Sequence, residues 1–436
     1  MSKLKGNDIV LGIQHLFAMF GATVLVPALT GLSVSATLLF AGLGTLLFHF
    51  ITGLKVPAFL GSSFAFLGGY FAVAELCQSQ GIENFSAYAG IGVACAGGIY
   101  VILALLFKVF GANKVMKFFP PIVTGPIIIS IGLTLSESAI TNCSANWIIA
   151  LIAIATVIIC NIWGKGMIKI VPILLGVIVS YIVAVCMGKV DFTPVADAAW
   201  IGLPVAYNDT VFSLFRGADV SLIITSIITI MPIAIATIIE HIGDVSAISS
   251  TVGKNFIAQP GLHRTLLGDG LATSMAALFG APANTTYGEN TGVLALTKVY
   301  DPKVIRIAAI FAVLLSFSPK FAAIVQVMPA ATMGGISLIL YGMISAVGVR
   351  NVVENKVDLS KSRNIIIAAL ILVLAIGIKF GTGDAQAIVF HIGQITISLS
   401  GLAVAAIIGI VLNAILPGKD YTFIDDSAKT GVDFKV

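Results

Sequence analysis

Residues 221–242 read SLIITSIITIMPIAIATIIEHI, an uninterrupted apolar stretch whose only ionisable side chains, Glu240 and His241, lie near its end. A run of about 20 apolar residues is long enough to cross the hydrocarbon core of a bilayer as a helix. Comparable runs recur along the chain, which is 58% hydrophobic and 10% charged, with a mean hydropathy of +1.06. Soluble domains carry about 25% charged residues. The composition therefore excludes a water-soluble globular protein and predicts an all-α polytopic membrane protein.

We predict 14 transmembrane segments, several of them interrupted by glycine or proline. The third and tenth segments are the weakest, because both are rich in Gly, Ser, Thr and Asn. The segments lie near 9–29, 36–54, 57–74, 88–110, 121–136, 147–163, 170–187, 221–242, 265–280, 282–297, 304–324, 328–348, 364–378 and 388–415.

The distribution of Lys and Arg predicts that both termini are cytoplasmic. In that orientation 20 of the 24 Lys and Arg residues lie in cytoplasmic segments, and only Lys189, Arg216, Lys320 and Lys379 lie outside. Cytoplasmic loops of membrane proteins carry this excess, so the net charge of +4 reflects topology and is poor support for nucleic-acid binding. No cleavage site of small residues follows the polar start, and we expect no removable signal peptide.

Two landmarks recur in the two halves of the sequence. Gln14-His15 opens the first segment and Pro57-Ala58 the third, whereas Glu240-His241 closes the eighth and Pro282-Ala283 opens the tenth, at an offset of about 225 residues. Seven segments per half is an odd number, so the halves would have opposite orientations. Inverted repeats with broken helices at matching places are typical of secondary transporters, whose substrate binds near the midplane. Chance is the alternative explanation for the dipeptides, but the weak segments also match.

The two weak segments indicate a binding site. Gly61-Ser62-Ser63-Phe64 and Asn284-Thr285-Thr286-Tyr287-Gly288 are typical of extended or broken backbone. Such backbone is tolerated at membrane depth only inside the protein or beside a water-filled cavity. It leaves N–H and C=O groups available for a ligand, although a short polar interruption of a buried helix is the simpler reading of either segment alone.

Four carboxylates fall within or at the mouths of predicted segments, while the other 16 acidic residues lie in loops, tails or segment ends. These four are Glu240, Asp244, Asp269 and Glu289. A charge at mid-bilayer costs about 3 kcal/mol or more, so such residues are functional candidates. No Lys or Arg accompanies them within the segments, and we expect them to exchange protons readily, as a proton-coupled carrier requires. Capping of buried N–H groups is the structural alternative for Asp269 and Glu289.

Glu240 and Asp244 stand four residues apart and should share one helix face. Two negative charges so close would repel, which favours protonation of at least one carboxylate. We assign His241 to packing or a polar network, and His15 to support of the site because of its place in the repeat.

A specific motif carries a family resemblance. Glu289-Asn290-Thr291-Gly292 followed by Thr297-Lys298 matches the signature of the nucleobase–ascorbate transporter (nucleobase:cation symporter) family, and residues 14–27, 60–66 and 284–290 are similar to its bacterial uracil permeases. The similarity covers essentially the whole chain. It implies 14 transmembrane segments in two inverted seven-segment repeats, with short antiparallel strands in segments 3 and 10.

The resemblance also implies a division into domains and a function. A core domain takes residues 1–118 and 221–325, a gate domain takes 119–220 and 326–416, and 417–436 form a disordered cytoplasmic tail. The expected function is uracil:proton symport in the inner (plasma) membrane by alternating access, with uracil and protons as partners and no cofactor, metal or nucleic acid. A homodimer through the gate domain is compatible with the family.

Residue roles follow from the motif positions. Glu240 and Glu289 would accept hydrogen bonds from the ring N–H groups, and backbone amides near Phe64 and Gly288 would donate to the carbonyls. The remaining expected residues are Tyr287, Ala22 and Ser63 in the pocket, Glu240, Asp244 and Asp269 in proton coupling, and His15, His241 and Asn290 in support. The chemistry agrees, because uracil alternates N–H donors with C=O acceptors on a flat ring that can stack on an aromatic side chain.

The sequence leaves alternatives to this function. Glu at 289 matches uracil members, since purine members usually carry Gln, but Asp244 stands where some uracil permeases have His and purine carriers have Asp. A xanthine/purine:cation symporter is therefore the alternative. An anion carrier would need positive groups at the site, and a passive channel would lack paired carboxylates. An intramembrane enzyme is disfavoured because Glu240-His241 lacks the second His of HExxH and no G-x-S-x-G is present. A disulfide between Cys77 and Cys143, placed in outside loops, is left open.

Overall fold

The computed structural model describes residues 6–383, 386–392 and 395–419, so most of the predicted tail lies outside the described residues. The described chain is mostly helical. Its helices are α1 (Gly6–Thr30), α2 (Val34–Ile51), α3 (Leu67–Ser79), α4 (Phe85–Phe110), α5 (Ala112–Val115), α6 (Pro121–Thr134), α7 (Ser136–Ser144), α8 (Trp147–Ile162), α9 (Met167–Ile170), α10 (Pro172–Cys186), α11 (Thr193–Asp197), α12 (Val220–Ile230), α13 (Ala234–Val252), α14 (Leu262–Leu278), α15 (Gly288–Thr297), α16 (Pro302–Ser316), α17 (Pro319–Gln326), α18 (Ala330–Glu354), α19 (Ser362–Gly381) and α20 (Gly401–Ile415). Its strands are β1 (Leu60–Ser62), β2 (Asn284–Thr286), β3 (Ala387–Ile392) and β4 (Ile395–Ser400).

Seven helical segments within the described ranges are long and apolar enough to cross a membrane. They are α1, α2, α4, α18, α19, the combined segment of α6 and α7, and that of α12 and α13. The pair α16–α17, bent by 90°, makes an eighth if counted as one span, and α8, α10 and α20 are shorter apolar helices. The chain is thus a multi-pass membrane protein, and the count of 14 spans stays a prediction.

The helices pack in two groups. Helices α1, α2, α4, α14 and α16 pack on one another, whereas α18 packs on α6, α7 and α8, and α19 packs on α6 and α20. Small residues allow close approach, as membrane helices require. A Cβ on Gly97 of α4 would lie 2.5 Å from the carbonyl oxygen of Gly270 in α14.

The two weak segments are extended, as expected, and they pair with each other. Strands β1 and β2 run antiparallel with Gly61 opposite Thr285. Two further hydrogen bonds lengthen the ladder, from Ser63 N–H to Ala283 O (2.8 Å) and from Tyr287 N–H to Phe59 O (3.0 Å). The pair joins the first half of the chain to the second.

The prediction of a helical segment over 388–415 was wrong in its first half. Residues 387–400 contain the antiparallel strands β3 and β4, and helix α20 begins only at Gly401. An apolar run alone does not distinguish a buried strand from a buried helix, and the β-branched residues of this stretch favour strands. Cys77 and Cys143 were also misplaced, because they lie buried in α3 and α7, where both are free thiols.

Candidate functional site

Hydrogen bonds to the backbone of helix α1 and from the side chain of Tyr287, which follows β2, hold strand β1 in place. The Ser62 hydroxyl donates to Thr23 O (2.8 Å), and the Tyr287 hydroxyl donates to Ser62 O (2.8 Å). A Cβ on Gly61 would lie 2.5 Å from the Tyr287 ring, so the ring crosses the strand where only glycine leaves room. Ala22, next to Thr23 in α1, is fully buried. Thr23 and Tyr287 therefore both lie at the strand pair.

Strand β2 is anchored by helices of both halves of the chain. Thr273 Oγ1 donates to Asn284 O (2.7 Å), and Asn284 Nδ2 donates to Phe40 O (2.9 Å). The backbone N–H of Ala283 donates to the Tyr70 hydroxyl (2.8 Å). A buried backbone polar group without a partner is costly. The hydroxyls of Thr273 and Tyr70 therefore stabilise β2, because they pair the backbone C=O of Asn284 and the backbone N–H of Ala283.

Each strand of the pair leads into the N-terminus of a helical element. After β1, Ser63 precedes a 3-10 turn from Phe64 to Phe66 that continues into α3, and after β2, Tyr287 precedes α15. The side chains of the two N-cap residues, Ser63 and Tyr287, form no capping hydrogen bond with the first N–H groups of the 3-10 turn and of α15. Such N-termini carry partial positive charge and donate hydrogen bonds. The arrangement can bind carbonyl oxygens or an anion.

A chain of polar contacts links α13, β2 and α14. Thr286 Oγ1 donates to Asp244 Oδ2 (2.7 Å) and lies 3.5 Å from His241 Nδ1. His241 Nδ1 in turn lies 3.0 Å from Asp269 Oδ2, and both side chains are completely buried. The structure therefore brings Asp244 and Asp269 together through His241 and Thr286. His241 thus takes part in a buried polar network.

The two glutamates predicted to contact substrate lie on helices that pack against each other, α13 and α15. Glu240 is half-buried, one residue before His241. Glu289 is the second residue of α15, and its side chain lies outside the described residues. A Cβ on Gly288 would lie 3.8 Å from Asp244 Oδ1. The carboxylate of Asp244 thus lies close to the positive N-terminal end of α15, which favours negative charge there.

His15 and Asn290 connect the first helix to α15. Asn290 Nδ2 donates to His15 O (3.1 Å) and lies 3.3 Å from His15 Nδ1, with both residues buried. The repeat landmark in α1 is thereby joined to the signature motif of the second half. This contact positions α15 relative to α1.

Phe64 contacts the group of helices that includes α18. Phe64 packs edge-on against Tyr341 of α18, with ring centres 5.8 Å apart, and both rings are buried. Ser63 is buried beside it. Sequence reasoning missed Tyr341, which carries no local signal, and it missed Thr286, although the period of two along a strand places Thr286 on the same side as Asn284.

A cavity of about 560 Å³ lies between the two helix groups. Helices α1, α3 and α12 line one side, and α6, α7, α18, α19 and α20 line the other. Ala65 lines it next to Phe64, whereas the predicted carboxylates do not. Lys379 and Glu137 also line it, with Lys379 Nζ 3.9 Å from Glu137 Oε2. In the described ranges, no group of three or more His, Cys, Asp or Glu side chains could hold a metal ion.

Two comparisons with known proteins match the chain to permeases, and a third matches its fold. The model of the Permease family named Xan_ur_permease matches residues 6–383. The chain is 41% identical to the uracil permease of Bacillus caldolyticus, covering 95% of this chain and 93% of that protein. It is 39% identical to the uracil permease of Escherichia coli strain K12, with 94% and 91% covered. The transmembrane domain of the cyanobacterial bicarbonate transporter BicA has a similar fold, with a TM-score of 0.58, 15% identity, and 94% and 97% of the two chains covered.

Proposed function

The chain belongs to this permease family, the nucleobase–ascorbate transporters, and from that premise we propose that it is a uracil:proton symporter that works by alternating access. The observation that carries the proposal is the pairing of β1 with β2. This pairing assembles two helix N-termini and the carboxylate-bearing helix α13 around one point in the membrane.

Uracil matches this arrangement group by group. Its two N–H groups would donate to the carboxylates of Glu240 and Glu289, and its carbonyls would accept from backbone amides near Phe64 and Gly288. Each hydrogen bond to a charged acceptor contributes about 1.5–3 kcal/mol. The rings of Phe64 and Tyr287 would contact the faces of the base, and Ala22 and Ser63 would complete the wall. The names of the relatives support a pyrimidine substrate.

The polar chain of α13 supports a proton route. Glu240 would exchange the coupled proton beside the substrate, with Asp244 and Asp269 as further exchange sites connected through His241. Thr286 donates to Asp244, so protonation of Asp244 would alter how β2 is held. Inward movement of one proton supplies about 2.3 kcal/mol per 100 mV of membrane potential.

The finer architecture is part of the same proposal. We propose 14 spans in two inverted repeats, a core domain of 1–118 and 221–325, and a gate domain of 119–220 and 326–416. The bond between Ser62 and Tyr287, 225 residues apart, supports the repeat because it joins positions separated by the repeat offset itself. The cavity between the helix groups supports a core–gate boundary there. Both termini would face the cytoplasm of the inner membrane, and a homodimer would form through the gate.

Transport by purified protein in liposomes tests the proposal. With an imposed pH gradient, acid outside, wild-type protein should concentrate labelled uracil, and a protonophore should abolish the accumulation. Glu240→Gln and Glu289→Ala should lose gradient-driven uptake. Glu354→Gln is a matched control, because Glu354 is exposed at the end of α18. Full gradient-driven uptake by both site variants would refute the proposal.

A xanthine/purine:cation symporter is the second candidate, favoured by Asp at position 244. Competition separates the two. Excess unlabelled uracil should suppress uptake of labelled uracil, while xanthine should leave it unchanged. Equal competition by xanthine would favour the purine carrier.

A further inference from the structure

Three large apolar side chains stand exposed on the segment that connects α10 to α12. We name residues 192–203 of this segment the arm. Trp200, Ile201 and Leu203 of the arm are 75%, 84% and 86% exposed. A contiguous exposed apolar patch marks an interaction surface.

Two backbone hydrogen bonds fix the arm to the rest of the chain, so the exposure of its apolar side chains is part of the folded structure. Gly202 N–H donates to Phe317 O (3.0 Å), and Lys320 N–H donates to Ala199 O (3.0 Å). Both bonds go to the corner between α16 and α17. The bonds fix the backbone on either side of Trp200 and Ile201 while leaving their side chains facing outward.

The arm continues an exposed apolar surface. Ile310 and Leu314 of α16, and Phe317 directly after it, are exposed at intervals of four and three residues. Such spacing places them on one face of the helix. This face ends at Phe317, the residue that binds Gly202. The pair α16–α17 is bent by 90°, and the arm is hydrogen-bonded to the chain at this bend.

Charge at the corner suits lipid headgroups. Lys320 Nζ lies 4.8 Å from the centre of the Trp200 ring, in a cation–π contact. Tryptophan is enriched at the boundary between headgroups and acyl chains, and lysine extends its ammonium group from there to the phosphates. The acidic residue of the arm, Asp197, lies in α11, before the apolar stretch.

We propose that Trp200, Ile201 and Leu203 insert into the headgroup–acyl boundary of the leaflet facing this end of α16, with Lys320 at the lipid phosphates. The occupant of the patch is the bilayer itself. Insertion ties the corner of α16 and α17 to the membrane plane and gives the link between α10 and α12 a fixed depth. The inference rests on the membrane-spanning fold and is independent of the transported substrate.

Tryptophan fluorescence in liposomes tests the insertion. In the variant Trp147→Phe/Trp163→Phe, Trp200 is the single tryptophan. Phosphatidylcholine brominated near the headgroup should quench most of its emission, bromine near the chain ends should quench less, and aqueous iodide should have little effect. Adding Ile201→Ser and Leu203→Ser should reverse this pattern, with loss of bromolipid quenching and gain of iodide quenching.

Two results would overturn the proposal. Strong iodide quenching without bromolipid quenching would place Trp200 in water. Shielding from both quenchers would mean that protein, such as a second copy of the chain, covers the patch. If the double Phe variant does not fold, the difference in quenching between the unmodified chain and Trp200→Phe isolates the same signal.

Discussion

Replacing Gly61 by alanine tests whether the strand pair is the centre of the transport site. The backbone of Gly61 does not need a positive φ, so alanine brings no backbone strain and acts only through its Cβ. That atom would lie 2.5 and 2.6 Å from two carbons of the Tyr287 ring and 2.7 Å from Thr23 Oγ1. All three separations are shorter than van der Waals contact allows, so the ring has to move.

The ring cannot move without loss elsewhere. Its hydroxyl donates to Ser62 O at 2.8 Å, and a displaced ring breaks that bond. Overpacking a tight interior costs about 1–3 kcal/mol, and loss of a hydrogen bond costs about 0.5–1.5 kcal/mol. If about 2 kcal/mol of this falls on the substrate-bound state, uracil affinity drops about 30-fold, since 1.4 kcal/mol is tenfold.

The assay compares Gly61→Ala with Gly98→Ala in α4, where a Cβ would meet no atom within 4 Å. We expect Gly61→Ala to bind labelled uracil more weakly by about 30-fold and to melt at a lower temperature in detergent. Gly98→Ala should bind as wild type does. Wild-type affinity and melting temperature in Gly61→Ala would show that the strand pair tolerates the added methyl group, and the reasoning about the Tyr287 ring would be wrong.

Two further predictions concern the polar chain. Thr286→Val removes the hydroxyl that donates to Asp244. Because a hydrogen bond to a charged group is worth about 1.5–3 kcal/mol, this variant should reduce proton-driven uptake about tenfold or more. Thr286→Ser keeps the hydroxyl and should restore uptake, and equal uptake by the two variants would contradict this role. Asp269→Ala leaves the buried Nδ1 of His241 without the carboxyl oxygen that lies 3.0 Å away. Leaving a buried polar group without its partner costs about 1–3 kcal/mol, so we expect a lower melting temperature, while Glu354→Ala, which removes an exposed pair, should change it little. Similar melting temperatures for Asp269→Ala and Glu354→Ala would show that the buried pair contributes no stability.

Local sequence patterns predicted the extended backbone of the candidate site, because residue type within a short segment determines backbone conformation there. Gly and Ser in one weak segment, and Asn and Thr in the other, indicated extended backbone, and β1 and β2 lie there. The same local reasoning failed over 388–415, because hydrophobicity is shared by membrane helices and buried strands. The membrane environment demands satisfied backbone bonds, and β3 and β4 meet part of this demand by pairing with each other.

The sequence by itself determined that the chain is a multi-pass helical membrane protein, because apolar length and scarce charge decide which solvent a segment tolerates. It also identified Glu240, Asp244 and Asp269 as candidates for function, because acidic side chains within membrane-spanning segments are energetically costly. Only the tertiary structure decided that Thr286 joins Asp244, that His241 lies against Asp269, and that Phe64 meets Tyr341. Those contacts join residues from 28 to 277 positions apart, and no periodicity within one segment can report which side chain of another segment it will touch.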